Sequence, residues 1–292
     1  MRVTNKLLIN NFMRNLNYNL KKMKNAQYKL SSGHEIEVAS DDPVGASMIM
    51  KLKSDLADIR QHMKNVDDAK SWLDYTETAL INVGEAIQRL REIVVYGANG
   101  SLSDDDRYAL AEEVKQLKSH ILQEANASYA GRYIFGGYKT DKPPFDDSAA
   151  YIGDDGAIVY EVSPSNNIKV NLTGNEVFNS PHNLFAVIDD IYNDLINGST
   201  QELSGKRLSE LDDCIDNILR LRAQIGAKVK RLENTMRAYE EDEINFTKLL
   251  SQSEDADLAE VVMELSNQEN VYRAALATGA RIIQPSLVDF LR

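Results

Sequence analysis

The side chains that could carry chemistry are few and scattered. The four histidines, His34, His62, His120 and His182, stand far apart, and none shares a helical turn with a cysteine or a second histidine. A zinc site needs such ligands gathered at short spacing, so none is expected. The lone cysteine, Cys214, lies beside Leu211 and Ile215. That is the setting of a small core residue rather than of a nucleophile, and one thiol cannot build an internal disulfide framework. Gly205-Lys206 lacks the rest of a phosphate-binding loop. Asp104-Asp105-Asp106 and Asp154-Asp155-Gly156 carry calcium-type oxygens but lack the alternating ligands and distal glutamate of a calcium loop. The first triplet reads as a helix start and the second as a hairpin turn. Nothing converges on a cleft, and the sequence predicts no enzyme, no bound metal and no cofactor.

What the chain does carry is a pair of apolar ladders at its two ends. Ile9, Met13, Leu16, Leu20, Met23 and Leu30 recur in steps of four and three, with Gln27 in a polar slot. Leu258, Val261, Leu265, Tyr272, Ala275 and Ile282 do the same, with Gln268 and Gly279 in the polar or small slots. Sustained three-four stepping is the seam of a helix packed on another helix. Neither ladder has a partner beside it in sequence, so each must find one far along the chain or on another molecule. These twelve residues are the candidate functional set, as an assembly interface.

Charge supports pairing of the ends. Residues 1–32 hold Arg2, Lys6, Arg14, Lys21, Lys22, Lys24 and Lys29 and no acid, whereas residues 240–270 hold many acids against a single Lys248. A basic amphipathic head suits an anionic membrane, but the acidic tail offers an intramolecular counterpart, so no membrane partner is expected. The net charge of -12 excludes a general nucleic-acid binder, which needs a basic surface. No stretch reaches the ~18 consecutive apolar residues of a membrane span. The opening residues lack a signal peptide's apolar core, which taken alone predicts a cytosolic protein.

Between the ladders the pattern falls into blocks. Leu30-Ser31-Ser32-Gly33 stops the first helix, and Asp42-Pro43 starts the next, the carboxylate capping free amides and the proline filling the first helical position. From Ile49 through Leu73 and Leu90 to Val94 an uninterrupted ladder predicts a rod of roughly 75 Å. Gly97 and Gly100 end it, and Ser103 caps a shorter helix that folds back on the rod. From about residue 131 the period changes to two, with turn signals at Gly136-Gly137, Asp154-Asp155-Gly156, Asn166-Asn167 and Gly174-Asn175, which predicts strands and hairpins, including one at Val177-Phe178. Helical patterning resumes near Leu184, and a second long rod runs from Leu208 to Leu250. The predicted fold class is mainly α with a small β insert.

Several motifs in this order resemble one family. Gln27-Tyr28-Lys29-Leu30-Ser31-Ser32-Gly33 followed by Ser40-Asp41-Asp42-Pro43-Val44-Gly45-Ala46 resembles the amino-terminal signature of bacterial flagellins. Tyr96 to Arg107, Gly131 to Thr140 and the close Pro285 to Leu291 resemble the hook-associated branch of that family, at the hook–filament junction, more than filament flagellin. The resemblance covers both arms and hardly extends to the β insert. It implies an elongated flagellin-like helical rod, with the terminal helices paired in a coiled coil and a central β-rich domain. The implied layers are a terminal coiled-coil domain, residues 1–40 with 251–292, disordered in the monomer; a helical rod domain, 41–130 with 184–250; and a β-rich outer domain, 131–183. It also implies export through the flagellar secretion apparatus without a cleaved signal peptide, which overrides the cytosolic inference. The implied partners are the first hook-associated protein, flagellin, copies of the same chain in a ring and a flagellar export chaperone. Filament flagellin and, further off, a cytosolic coiled-coil scaffold are the alternatives.

Overall fold

The computed structural model describes residues 2–283 except 37, 41, 101 and 165, and side chains from residue 6 to residue 281. The chain divides into two compact units, residues 1–58 with 242–292 and residues 59–241. The elements run α1 (Arg2–Ser32), α2 (Pro43–Gly97), α3 (Asp104–Ala125), β1 (Ser128–Tyr129), β2 (Arg132–Tyr133), β3 (Val159–Ser163), β4 (Asn166–Lys169), α4 (Gly174–Phe178), α5 (Leu184–Asn197), α6 (Thr200–Glu202) with a π turn at Leu203–Arg207, α7 (Leu208–Glu254) and α8 (Leu258–Ile283). The fold is mainly α with small strands, as the patterning predicts.

The unit of residues 59–241 holds the main core. Within it α2 and α7 run antiparallel. His62 stacks on Tyr239 with ring centroids 5.9 Å apart, Lys70 faces Glu233 at 3.5 Å, and Arg91 pairs with Asp212 at 2.6 Å, so numbers rise in one helix as they fall in the other. Leu73, Leu80, Ile87 and Leu90 of α2 share one buried cluster with Val114 and Ile121 of α3, Ile188 and Ile191 of α5, and Leu211, Ile218 and Ile225 of α7. Exposed ion pairs decorate the seams: Arg89 with Glu113 between α2 and α3, and Lys118 with Asp189 between α3 and α5. Each of these adds little, because water screens it.

Helix starts follow local chemistry. The Asp42 carboxylate accepts the Val44 N–H at 3.0 Å, with Pro43 in the first helical position of α2. The Ser103 hydroxyl accepts the Asp106 N–H at 3.2 Å, and three aspartates occupy the first turn of α3, where the helix dipole favours negative charge.

The insert departs from its prediction in detail. Its strands form two separate two-stranded antiparallel sheets, β1 with β2 and β3 with β4. The β1–β2 connection is Ala130-Gly131, both at positive φ, the backbone that a two-residue hairpin turn requires. Asp154-Asp155-Gly156 is not a hairpin turn. The Asp154 carboxylate instead accepts backbone N–H groups of Tyr138 and Gly156, at 2.6 and 2.9 Å, and pins a loop. These donors hold its pKa below the usual carboxylate range. Val177-Phe178 closes α4 rather than forming a strand, because Thr173 and Glu176 make a reciprocal capping box. Aromatic packing fills the space a broader sheet would occupy: Phe178 meets Phe135 and Phe145 edge to face at 5.4 and 5.2 Å, and Phe145 meets Phe185 at 5.4 Å.

Cys214 is buried on the inner face of α7. Burial, with help from Asp213 and Glu210, pushes its thiol up to about 11. At pH 8 the folded chain should therefore react with Ellman's reagent roughly a hundredfold more slowly than the denatured chain, whose thiol titrates near 8.5. Equal rates would place Cys214 outside the core.

Candidate assembly interface

In the unit of residues 1–58 with 242–292, α1 packs along α8. A Cβ on Gly279 would run into the Phe12 ring. At the other end of the pair the Ala256 N–H donates to the Gly33 carbonyl at 2.9 Å. Phe12 thus stands against Gly279 and Gly33 against Ala256, so the helices are antiparallel. This register brings Leu16 level with Ala275 and Ala26 level with Leu265.

The predicted residues fall into two groups. Ile9, Leu16, Met23 and Leu30 of α1 are half-buried, as are Leu265, Tyr272 and Ala275 of α8, and Val261 is buried at 4% exposure. Met13 at 47%, Leu20 at 43% and Leu258 at 52% are exposed. The side chain of Ile282 lies outside the described residues, as does the Pro285–Leu291 motif. The inward row of α1 is Phe12, Leu16, Asn19, Met23, Ala26 and Leu30, and Ala26 is the most buried of them at 2%. The polar Gln27 in the sequence ladder was the signal: stepping three rather than four from Met23 reaches Ala26 and keeps the period. Phe12 was legible only as the partner that a conspicuous Gly279 admits.

Sequence reasoning missed the clasp that closes the pair. Gly33, at φ 75, ends α1. Its carbonyl receives the Ala256 N–H, and the Glu35 N–H donates to the Glu254 carbonyl at 2.7 Å, forming a bridge centred on His34 and Asp255. Glu254 is 7% exposed. Its carboxylate accepts from Lys53 of α2 at 2.6 Å and faces His34 Nδ1 at 3.6 Å. Lys29 pairs with Glu35 beside it. No local pattern announces a contact between residues so distant in sequence. The bridge ties the α1–α2 connection to the α7–α8 break, where Asp257 caps α8 by accepting the Ala259 N–H at 2.9 Å.

The basic side chains of α1 and the acids of α8 make no ion pair with one another among the described residues. Charge of both signs therefore faces outward, beside exposed Leu7, Leu8, Tyr18, Val262, Met263, Val271 and Leu276. Among the described residues no three His, Cys, Asp or Glu side chains gather as a metal site, and no helix is long and apolar enough to cross a membrane.

Paired terminal helices and a helical bundle with a small insert make a flagellin-like fold. The bacterial flagellin N-terminal helical region matches residues 3–140. Within that class the chain is similar to flagellar hook-associated protein 3. It is 28% identical to that of Escherichia coli (strain K12) over 272 residues, 85% of this chain and 86% of the relative. It is 29% identical to that of Salmonella typhimurium over 276 residues, 86% of this chain and 87% of the relative. A solved structure described as a flagellar hook-associated protein from Vibrio parahaemolyticus superposes with a TM-score of 0.69 at 27% identity, over 74% of this chain and all of that one. The resemblance carried by the motifs at Gln27–Gly33, Ser40–Ala46 and Gly131–Thr140 is borne out.

The clasp makes a local prediction. Glu254→Ala leaves Lys53 and His34 without their shared carboxylate. Under conditions where the pair is ordered, hydrogen exchange at the Glu35 and Ala256 amides should accelerate about tenfold or more, a loss of roughly 1.4 kcal/mol. Unchanged exchange would show that the backbone bridge stands without the side chains.

Proposed function

We propose that this chain is a structural, non-catalytic subunit of the bacterial flagellum, forming the junction between the hook, through the first hook-associated protein, and the flagellin filament. It acts by packing, through the terminal helices. The observation that carries this reading is the narrowness of the α1–α8 seam. Among the described residues, Ala26 and Val261 are the only fully buried hydrophobic side chains contributed by helices of 31 and 26 residues. Ordering backbone costs ~1–2 kcal/mol per residue, and a fully buried Val or Leu returns only ~1.5–3 kcal/mol. The pair is thus left short of stabilisation until neighbouring copies cover its outer faces. Coupled folding and binding of this kind confines assembly to the tip of an existing structure.

In this reading Ile9, Met13, Leu16, Leu20, Met23 and Leu30 of α1, with Leu258, Val261, Leu265, Tyr272, Ala275 and Ile282 of α8, form the terminal coiled-coil layer. Residues 1–40 with 251–292 are disordered in the free monomer. Residues 41–130 with 184–250 form the rod domain, and residues 131–183 the outer domain. The partners are the first hook-associated protein, flagellin, a ring of identical copies and an export chaperone. The chain reaches the extracellular appendage through the flagellar secretion apparatus without a cleaved signal. Its single thiol suits threading as an unfolded chain, since no internal disulfide can lock it.

The near alternative is filament flagellin, favoured by the match of the flagellin helical region to residues 3–140. The identities of 28% and 29% to the hook-associated relatives over most of the chain, with the superposition on a hook-associated structure, support the junction role. A deletion strain separates the two. The junction role predicts hooks without filaments and flagellin spilled into the medium. Hooks without filaments and no exported flagellin would contradict it, as would filaments that remain attached.

A further inference from the structure

Each terminal helix carries a second stripe apart from the seam it uses internally, on the opposite face of α1 and about a quarter turn round on α8. On α1, Arg14, Tyr18, Lys21, Asn25 and Tyr28 step by four, three, four and three, and all five are exposed. On α8, Glu260, Glu264, Asn267 and Val271 step by four, three and four, with Met263 alongside, and all of these are exposed. That stepping places each set on one helix face. The α1 stripe is basic and aromatic. Lys22 lies over the Tyr18 ring at 5.1 Å and Lys24 over the Tyr28 ring at 5.2 Å. Its lower half opens into a groove lined by Lys21, Asn25, Tyr28, Ile36 and Val38. The α8 stripe is acidic with two exposed apolar side chains.

Among the described residues Lys21, Glu260 and Glu264 have no ion-pair partner, whereas the carboxylates bordering the groove are occupied: Glu35 by Lys29 and Asp42 by the Val44 N–H. The antiparallel register sets both stripes at the clasp end of the pair, residues 19–28 level with residues 262–271. A neighbour displaced sideways therefore presents its acidic stripe at the height of the basic one.

We propose that the stripe Arg14–Tyr28 of one copy receives the stripe Glu260–Val271 of a second copy, as an intermolecular seam. This rests on the reading that copies assemble through their terminal helices, and it names the faces that meet. The contact is heterologous, one face on each partner, so it repeats around a ring rather than closing a dimer. Opposite charge sets the register, and Tyr18, Tyr28, Met263 and Val271 supply the apolar contact.

The test uses flagella isolated from cells that carry two single-cysteine variants together, Asn25→Cys and Asn267→Cys. The buried Cys214 thiol does not compete. Oxidation should give a band of twice the chain's mass from the mixture and none from either variant alone. Chain present in the flagella with no mixed dimer would overturn the proposal while leaving the junction role intact. A second readout is charge reversal. Lys21→Glu and Glu264→Lys should each cut swimming several-fold, and the two in one chain should restore it to within about twofold. A double variant no better than the worse single one would also overturn it. Absence of the native chain from isolated flagella would instead remove the junction reading, and this seam with it.

Discussion

The structure turns on how little apolar surface the α1–α8 pair can bury by itself. One helix face on each partner meets the other, and its inward rows include Asn19 and Gln268 as well as small residues. Ala26 and Gly279 let the helices approach closely, and Phe12 fills the space that the glycine leaves. Close approach improves contact without adding much buried area. The outward faces then hold more large hydrophobic side chains than the seam does. A surface of that composition is a feature of interfaces rather than of isolated monomers.

The unit of residues 59–241 contrasts with it. There four helices share one core, and Leu73, Leu80, Val83, Ile87 and Leu90 of α2 alone are buried to 0%. Such a core is rigid and close-packed. The insert is held to the same cluster by Phe135, Phe145 and Phe178. The two units thus differ: one is stable by its own packing, and in the proposed reading the other keeps its cohesive surface for partners.

Much of this was legible in the sequence. The long α2 and α7 ladders, the Asp42-Pro43 start and the Ser103 cap are local signals, and local energetics decide such features. The α8 ladder from Val261 to Gly279 could be read because every step holds. The α1 ladder ran one residue off at Met13, Leu20 and Gln27, where Phe12, Asn19 and Ala26 face inward, because an asparagine and an alanine carry little hydrophobic signal although they suit a tight seam. In the insert, alternation suggested strands, but the capping box at Thr173 and Glu176 and the loop-pinning Asp154 won over a period-two pattern only a few residues long. The clasp joining His34 to Glu254 and Asp255 depends on residues more than two hundred positions apart, and no pattern in one chain reports such pairing.

The central claim is that the terminal helices gain their order from neighbours. Hydrogen exchange on the isolated chain, compared with the same chain in assembled flagella, measures this directly. Amides of residues 7–32 and 258–281 should exchange almost freely in the monomer and slow by orders of magnitude after assembly, while the buried amides of residues 59–241 stay protected in both. Strong protection of residues 7–32 in the isolated chain would contradict it.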